Sequence, residues 1–177
     1  MNGNVKAAAQ EEWFDVVNAR DEVTGRARRA EVHARGWRHR AVLVFVFNAA
    51  GEVFLQKRSM SKDVSPGLWT LSCSGHVDAG EDYDTAARRE LSEELGWWRP
   101  QPPARWLRVE ASVETDWEFS WIYRMTAEGP FTLHPGEIET GEWTAIAALN
   151  RRMVAQPEIY CPGFRWIWSL VAPKLGV

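Results

Sequence analysis

Cysteine is scarce in this chain of 177 residues: Cys73 and Cys161 stand far apart, and no C-x-x-C occurs. Two such residues make neither a disulfide framework nor a zinc knuckle. Long apolar runs are missing too. No stretch approaches the ~18 consecutive apolar residues that read as a membrane span. Residues 1–15, MNGNVKAAAQEEWFD, contain no apolar core of a secretory signal. The expected location is the cytoplasm. An excess of one charge is also absent. The 21 Lys and Arg nearly balance the 24 Asp and Glu, leaving a net charge of −3. That balance makes no general case for nucleic acid or an anionic membrane surface as a partner. Internal repeats and low-complexity tracts do not occur. What remains is a globular composition, long enough to bury a sizeable core. The reading is a flexible N-terminus over 1–11 and one domain over 12–177.

One residue type is abundant: there are eleven Trp. Most are expected to pack in the core or at its rim, while a Trp or Phe beside a pocket suits stacking on a base.

Along the chain, WFDVVN (13–18) reads as a short strand and 21–25 as a turn. Residues 26–40, RARRAEVHARGWRHR, are dense in Arg. They read either as a solvated, partly helical connector or as an electropositive rim that meets phosphates. AVLVFVF (41–47) is the continuous β-branched and aromatic run of a strand buried on both faces. EVFLQK (52–57) alternates as its partner, and 69–72 is a further strand. Past Pro100–Pro103, strands are expected over 106–115 and 118–126, with a turn near Asp116, and another over 141–145. Helices are expected over 145–155 and 164–171. Strands on either side of a charged helix, followed by C-terminal helices, predict an α/β fold with a mixed β-sheet covered on both faces.

The stretch from Gly75 to Trp97, GHVDAGEDYDTAARRELSEELGW, organises the rest. A turn-rich entry leads to an acidic helix start at Glu81 or Asp82. Residues 83–95 are good helix formers without Gly or Pro, and Gly96 supplies a C-terminal cap. Tyr83, Ala87, Leu91 and Leu95 recur every four residues as an apolar stripe. Glu90, Glu93 and Glu94 share an arc beside it. Like charges four apart destabilise a helix by roughly 0.2–0.5 kcal/mol, so a positive partner is expected. Hard divalent cations take such oxygen ligands. Arg89, elsewhere on the helix, is placed to reach back to Glu81.

Five residues separate Gly75 from Glu81, and seven separate Glu81 from Arg89-Glu90-Leu91. Glu93-Glu94, Gly96 and an apolar residue follow. This pattern resembles the Nudix box at every fixed position, and looser flanking similarity runs from about Trp13 to Trp143. The resemblance implies an α/β/α sandwich. It also implies Mg2+-dependent, or Mn2+-dependent, hydrolysis of a phosphoanhydride in a nucleoside di- or triphosphate or another nucleoside diphosphate derivative. Carried over by position, Glu90 and Glu94 are metal ligands. Glu93 is a ligand or water activator, the Gly75 carbonyl is a further ligand, and Arg89 and Glu81 form a structural tie. A further acid outside the box is expected, with Glu118, Glu137 and Glu139 as candidates. The partner is then a small-molecule nucleotide, not nucleic acid or membrane, with the oligomeric state open. The proline that follows the box in ADP-ribose pyrophosphatases is not evident around Ser112 and Val113, and there is no coenzyme A signature.

Residues 39–81 also resemble isopentenyl-diphosphate isomerase, through HRAVLVFVFN, LQKRSMSKDVSPGLWT and SCSGH. That family isomerises a carbon–carbon double bond with a Cys just before Gly-His and binds a metal through His and Glu. Here His39 and His76 match in place, His33 matches with an offset of one, and Glu118 falls where an acid is expected, with Asp116 two before it. His39, His76 and Arg40 are therefore candidates for secondary metal or phosphate contacts. The residue before Gly75-His76 is Ser74, and the Cys stands one earlier. Such a shift turns a side chain to the other face of a strand. The box is intact here, whereas the isomerases have a degenerate one, so the expectation is a hydrolase with an isomerase-like surround. A non-catalytic nucleotide-binding module is the third reading.

Overall fold

A computed structural model describes residues 11–176. All but the last residue of the expected flexible N-terminus lies outside the described residues. Glu11 is exposed and pairs with Arg28.

The chain runs β1 (Trp13–Val17), β2 (Val23–Arg28), α1 (Arg29–Arg35), β3 (His39–Phe47), β4 (Glu52–Arg58), β5 (Trp69–Thr70), β6 (Cys73–His76) and α2 (Tyr83–Leu95). It continues through β7 (Ala104–Val109), β8 (Glu118–Thr126), β9 (Ile138–Ala145), α3 (Ile146–Ala155) and α4 (Pro162–Val171). The expected helices and the strands of the sheet are present. Two expectations need correction. The strand expected over 106–115 stops at Val109, and Val113–Thr115 form a 3-10 turn, because Ser112 and Thr115 cap each other. The Arg-rich segment is not one connector. Residues 23–28 form β2 against β1, and only 29–35 are helical.

The central sheet is mixed, in the order β5-β4-β3-β8-β7. The β3 and β8 strands run parallel from His39↔Glu118 to Phe47↔Thr126. Along its other edge, β3 pairs first with β6, Ala41↔His76 to Val44↔Cys73, and then with β4 at Phe47↔Val53. One side of the sheet buries Phe45, Leu55, Ile122 and Leu149 with Phe164, Ile167, Trp168 and Val171 of α4. The other side buries Val42, Val44, Val46 and Tyr123 against Ala86, Ala87, Leu91 and Leu95 of α2. This is the α/β/α sandwich that the sequence implies.

The helix α2 has the expected ends. The Asp82 side chain accepts from the Thr85 amide at 3.0 Å, and Gly96 closes the helix in the left-handed region at φ 62°.

Because β3 meets β6 at one end and β4 at the other, the two partners diverge between them. Ser72, fully buried, bridges the gap. Its hydroxyl accepts from the Val46 amide at 2.8 Å and donates to the Phe54 carbonyl at 2.6 Å. Ser72→Ala leaves a buried amide and a buried carbonyl unpaired, and is expected to lower stability by about 1–3 kcal/mol. Urea unfolding reads this as a lower midpoint at constant slope. A midpoint equal to wild type would remove Ser72 from its bridging role.

Candidate functional site

The site is built on the first face of α2 beyond its apolar stripe. Arg89 is its hub. The guanidinium donates to both oxygens of Glu81 at 3.1 and 2.9 Å, to the His76 carbonyl at 2.8 Å, to Glu90 at 2.7 Å and to Glu93 at 3.2 Å. The tie to Glu81 matches the sequence reading. The bonds to Glu90 and Glu93 do not, since Arg89 was expected to point away from the acids. It supplies part of the positive charge they need.

Glu94 is 6% exposed. Its carboxylate accepts from Gln56 Nε2 at 2.9 Å and from the Ser74 amide at 3.3 Å. Burial raises its pKa to about 7 against the pull of those donors. Burial, reinforced by Glu94 and Glu93 and opposed by Arg89, raises Glu90 to about 8. Glu93 is the exposed member of the set, with 57% of its side chain open. Gly75 lies directly against this group. A Cβ at that position would come within 2.0 Å of the Glu90 carboxyl, so only glycine lets the β6 backbone approach the acids so closely.

A second cluster lies at the start of β3. His33 (α1), His39 (β3) and His76 (β6) each offer a ring nitrogen, and these atoms lie within 4.8 Å of one another. His39 Nδ1 donates to the Trp37 carbonyl at 2.9 Å, which leaves the Nε2 lone pair facing inward. His33 Nδ1 pairs with Asp116 at 2.9 Å. Both Nε2 atoms are buried without a hydrogen-bond partner. Burial, together with the two neighbouring histidines, lowers the His33 pKa despite Asp116. The shift favours the neutral ring, the form that ligates a metal. Glu118 reaches His76 Nε2 at 3.2 Å and lies 3.7 Å from His39 Nε2. Burial alone would raise its pKa, but the two histidines hold it down at about 2. Buried Phe14 stacks on His39 and His76, with centroids 5.5 and 4.5 Å away, and forms the back of the cluster.

The box acids and, from the second cluster, His76 and Glu118 meet in one cleft of about 780 Å³, while His33 lines a neighbouring cleft that shares His76 and Glu118. Glu90, Glu93, Glu94, Gly75, His76 and Glu118 line the first, with Arg29, Arg58 and Lys62 as the cations outside the box. Of the Arg-rich segment only Arg29 reaches this cleft. Arg26, Arg35 and Arg40 are taken up by Asp15, Glu31 and Asp21, so the broad electropositive rim is not formed. Arg40 in particular is no phosphate contact. It alternates to the far side of β3, bonds Asp21 at 2.6 Å and stacks on Tyr83. Glu139 faces Lys57 outside the cleft, whereas Glu137 lines it and pairs with Lys62 at 2.5 Å. Ser74 lines the cleft, and Cys73 is fully buried on the opposite side of β6. Sequence reading missed Gln56, Arg58 and Lys62. Gln56 alone carried a signal, as the polar residue that follows Phe54 on the core-facing side of a strand.

The raised pKa values of Glu90 and Glu94 set a sign. Each carboxyl ionises near 4.5 when unfolded and near 8 or 7 when folded. Their contribution to stability is therefore complete below about pH 4.5 and is lost as pH rises through 7 and 8. His33, with a lowered pKa, works in the opposite direction, so the comparison must be with a double variant. In chelator, the melting temperature of wild type is expected to fall from pH 5 to 8 relative to Glu90→Gln/Glu94→Gln. Saturating Mg2+ at pH 8 should recover it in wild type alone. Parallel pH profiles for the two proteins would show that these carboxyls are not held protonated.

The NUDIX domain model matches residues 37–161. An isopentenyl-diphosphate Delta-isomerase of Serratia proteamaculans is 34% identical over 93% of this chain and 90% of its own length. An uncharacterized Nudix hydrolase of Streptomyces coelicolor is 35% identical over 86% and 84%. The crystal structure of DR0079 from Deinococcus radiodurans superposes with a TM-score of 0.72 at 30% identity, covering 82% of this chain and 90% of that one. The box, its geometry and these likenesses agree: the chain belongs to the Nudix family.

Proposed function

We propose that this enzyme hydrolyses a phosphoanhydride bond of a nucleoside di- or triphosphate, or of another nucleoside diphosphate derivative, with Mg2+. One observation carries the reading. Glu90, Glu93 and Glu94 line the same cleft as Arg29, Arg58 and Lys62, so acids for a cation and cations for phosphate share one space. Arg58 donates its Nε to the Val64 carbonyl and has no carboxylate partner among the described residues. Its remaining guanidinium donors are free for an anion.

The donor set fits a hard divalent cation. Glu90, Glu93, Glu94 and the Gly75 carbonyl are oxygen donors on two rigid elements, and the missing Cβ of Gly75 keeps the approach open. When bound, Mg2+ neutralises phosphate oxygens and makes a coordinated water more acidic. The chain's own residues do the rest. Arg58, without a carboxylate partner among the described residues, takes the phosphates first, and Arg29 and Lys62 join it by turning from Glu12 or Asp63 and from Glu137. Glu93, the exposed acid, takes the proton of the attacking water. Arg89 holds Glu90 and the His76 backbone in register, and Gln56 fixes the Glu94 carboxylate. The three histidines with Glu118 form a second donor set, whose imidazoles suit a softer divalent ion.

That histidine set is the specific observation that favours the second reading, an isopentenyl-diphosphate isomerase-like enzyme. The thiol argues against it. Cys73 is buried behind β6, where burial and the neighbouring Glu94 and Glu90 raise its pKa well above the ordinary value, and the cleft presents the Ser74 hydroxyl instead. A hydroxyl is too weak an acid to protonate carbon.

The test is a screen of nucleoside di- and triphosphates, nucleotide sugars, dinucleoside polyphosphates and isopentenyl diphosphate. Released phosphate or pyrophosphate and isomer exchange are both measured. Hydrolysis of a nucleotide that requires Mg2+ or Mn2+ is expected, without isomer exchange. Glu94→Gln or Glu90→Gln should then lower turnover by roughly 10²-fold or more at saturating Mg2+, while Cys73→Ser keeps most of it. Isomer exchange that disappears in Cys73→Ser would overturn the hydrolase reading.

A further inference from the structure

We infer that Trp13 is the platform on which this hydrolase stacks the base of its substrate, with the phosphates running along Arg29 toward Arg58 and Lys62. The inference rests on the hydrolase reading and adds to it the place and orientation of the nucleoside.

Among the described residues, Trp13 alone of the eleven Trp lines the cleft. The others have different work. Trp168 is buried under the sheet, and Trp69, Trp97, Trp106 and Trp143 pack against the two large cores. Trp98 is exposed at 63% but does not line the cleft. Trp13 is 44% exposed at the rim, on a backbone that is held firmly. Its carbonyl accepts from the Ala79 amide at 2.8 Å, and it stands opposite Arg28 in the β1–β2 ladder. The Arg28 guanidinium lies 5.6 Å from the ring centroid and limits its rotation. A large flat apolar surface left half bare beside a polar cleft gains free energy when a planar ligand covers it.

Charge fixes the direction. Glu11, Glu12 and Asp78 line the cleft beside Trp13 and repel a phosphate there. A base is neutral, and its amino groups suit those acids. Arg29 spans the two ends, 3.5 Å from Glu12 on one side and 3.5 Å from Asp63 on the other. Lys62, beside Asp63, and Arg58 complete the phosphate end. Asp78 lies 3.8 Å from Arg89, which itself holds Glu90, so the platform adjoins the box.

The experiment compares wild type, Trp13→Ala and Trp13→Phe, all shown by circular dichroism to be folded. Kinetics use a nucleoside diphosphate that wild type cleaves and methyl diphosphate, which has the same anhydride without a base. Trp13→Ala is expected to reduce kcat/KM for the nucleotide, relative to methyl diphosphate, by roughly tenfold or more through KM, as loss of a stacked base does. Trp13→Phe should retain most of the ratio. Binding of a nucleoside α,β-methylene diphosphate with Mg2+, measured by calorimetry, should weaken to the same degree. An unchanged ratio, or equal losses on both substrates, overturns the platform. If wild type cleaves no nucleotide of the screen above, the hydrolase reading fails, and the binding measurement still decides the role of Trp13: equal affinity in Trp13→Ala, or no binding by wild type, rules it out.

Discussion

The arrangement depends on one guanidinium. Arg89 offers five donors in a rigid fork, and four groups from three parts of the chain accept them: Glu81 before the helix, the His76 carbonyl at the end of β6, and Glu90 and Glu93 on its own helix. No single one of these bonds is unusual. Their sum fixes the box loop, the strand and the acidic face of α2 relative to one another. A Lys here would reach one or two of these acceptors as a point charge and leave the rest unpaired. Placing a cation among acids also lets the three carboxyls stay close before any metal arrives. The half-compensated state is visible in Glu90, whose pKa stays near 8 in spite of Arg89.

The strand β3 distributes the two functional faces. Its alternation sends Ala41 and Leu43 to the floor of the cleft and Arg40 and Val42 toward α2. Its N-terminal residue, His39, enters the histidine cluster. The box acids and the histidines thus belong to different elements but share β6 as a common wall. Gly75 faces the acids at one position, and His76 faces the imidazoles at the next.

Much of this was legible in the sequence. The span and caps of α2 follow from Asp82, Gly96 and an uninterrupted run of helix formers, and β3 from its β-branched run. The box residues are legible because their chemistry depends on spacing along one helix. The histidine cluster was half legible, since its members come from α1, β3 and β6, and only a resemblance brought them together. Arg58 and Lys62 gave no signal. Their place depends on where the loop after β4 folds, and nothing in their local sequence separates a cleft-lining cation from a solvated one. The Arg-rich segment misled for the converse reason. The six Arg of that segment look alike until Asp15 of β1, Glu31 of α1 and Asp21 of the β1–β2 turn claim three of them.

The alternation of Cys73 and Ser74 on β6 has a consequence for how two chemistries can be related. Moving the thiol into the cleft by sliding the strand one residue would also displace Gly75 from Glu90 and His76 from the imidazole cluster, destroying both donor sets. Exchanging the Ser74 oxygen for sulfur disturbs neither. Hydrolase and isomerase surroundings on this scaffold are thus separated at this wall by a single atom, and the backbone stays where it is.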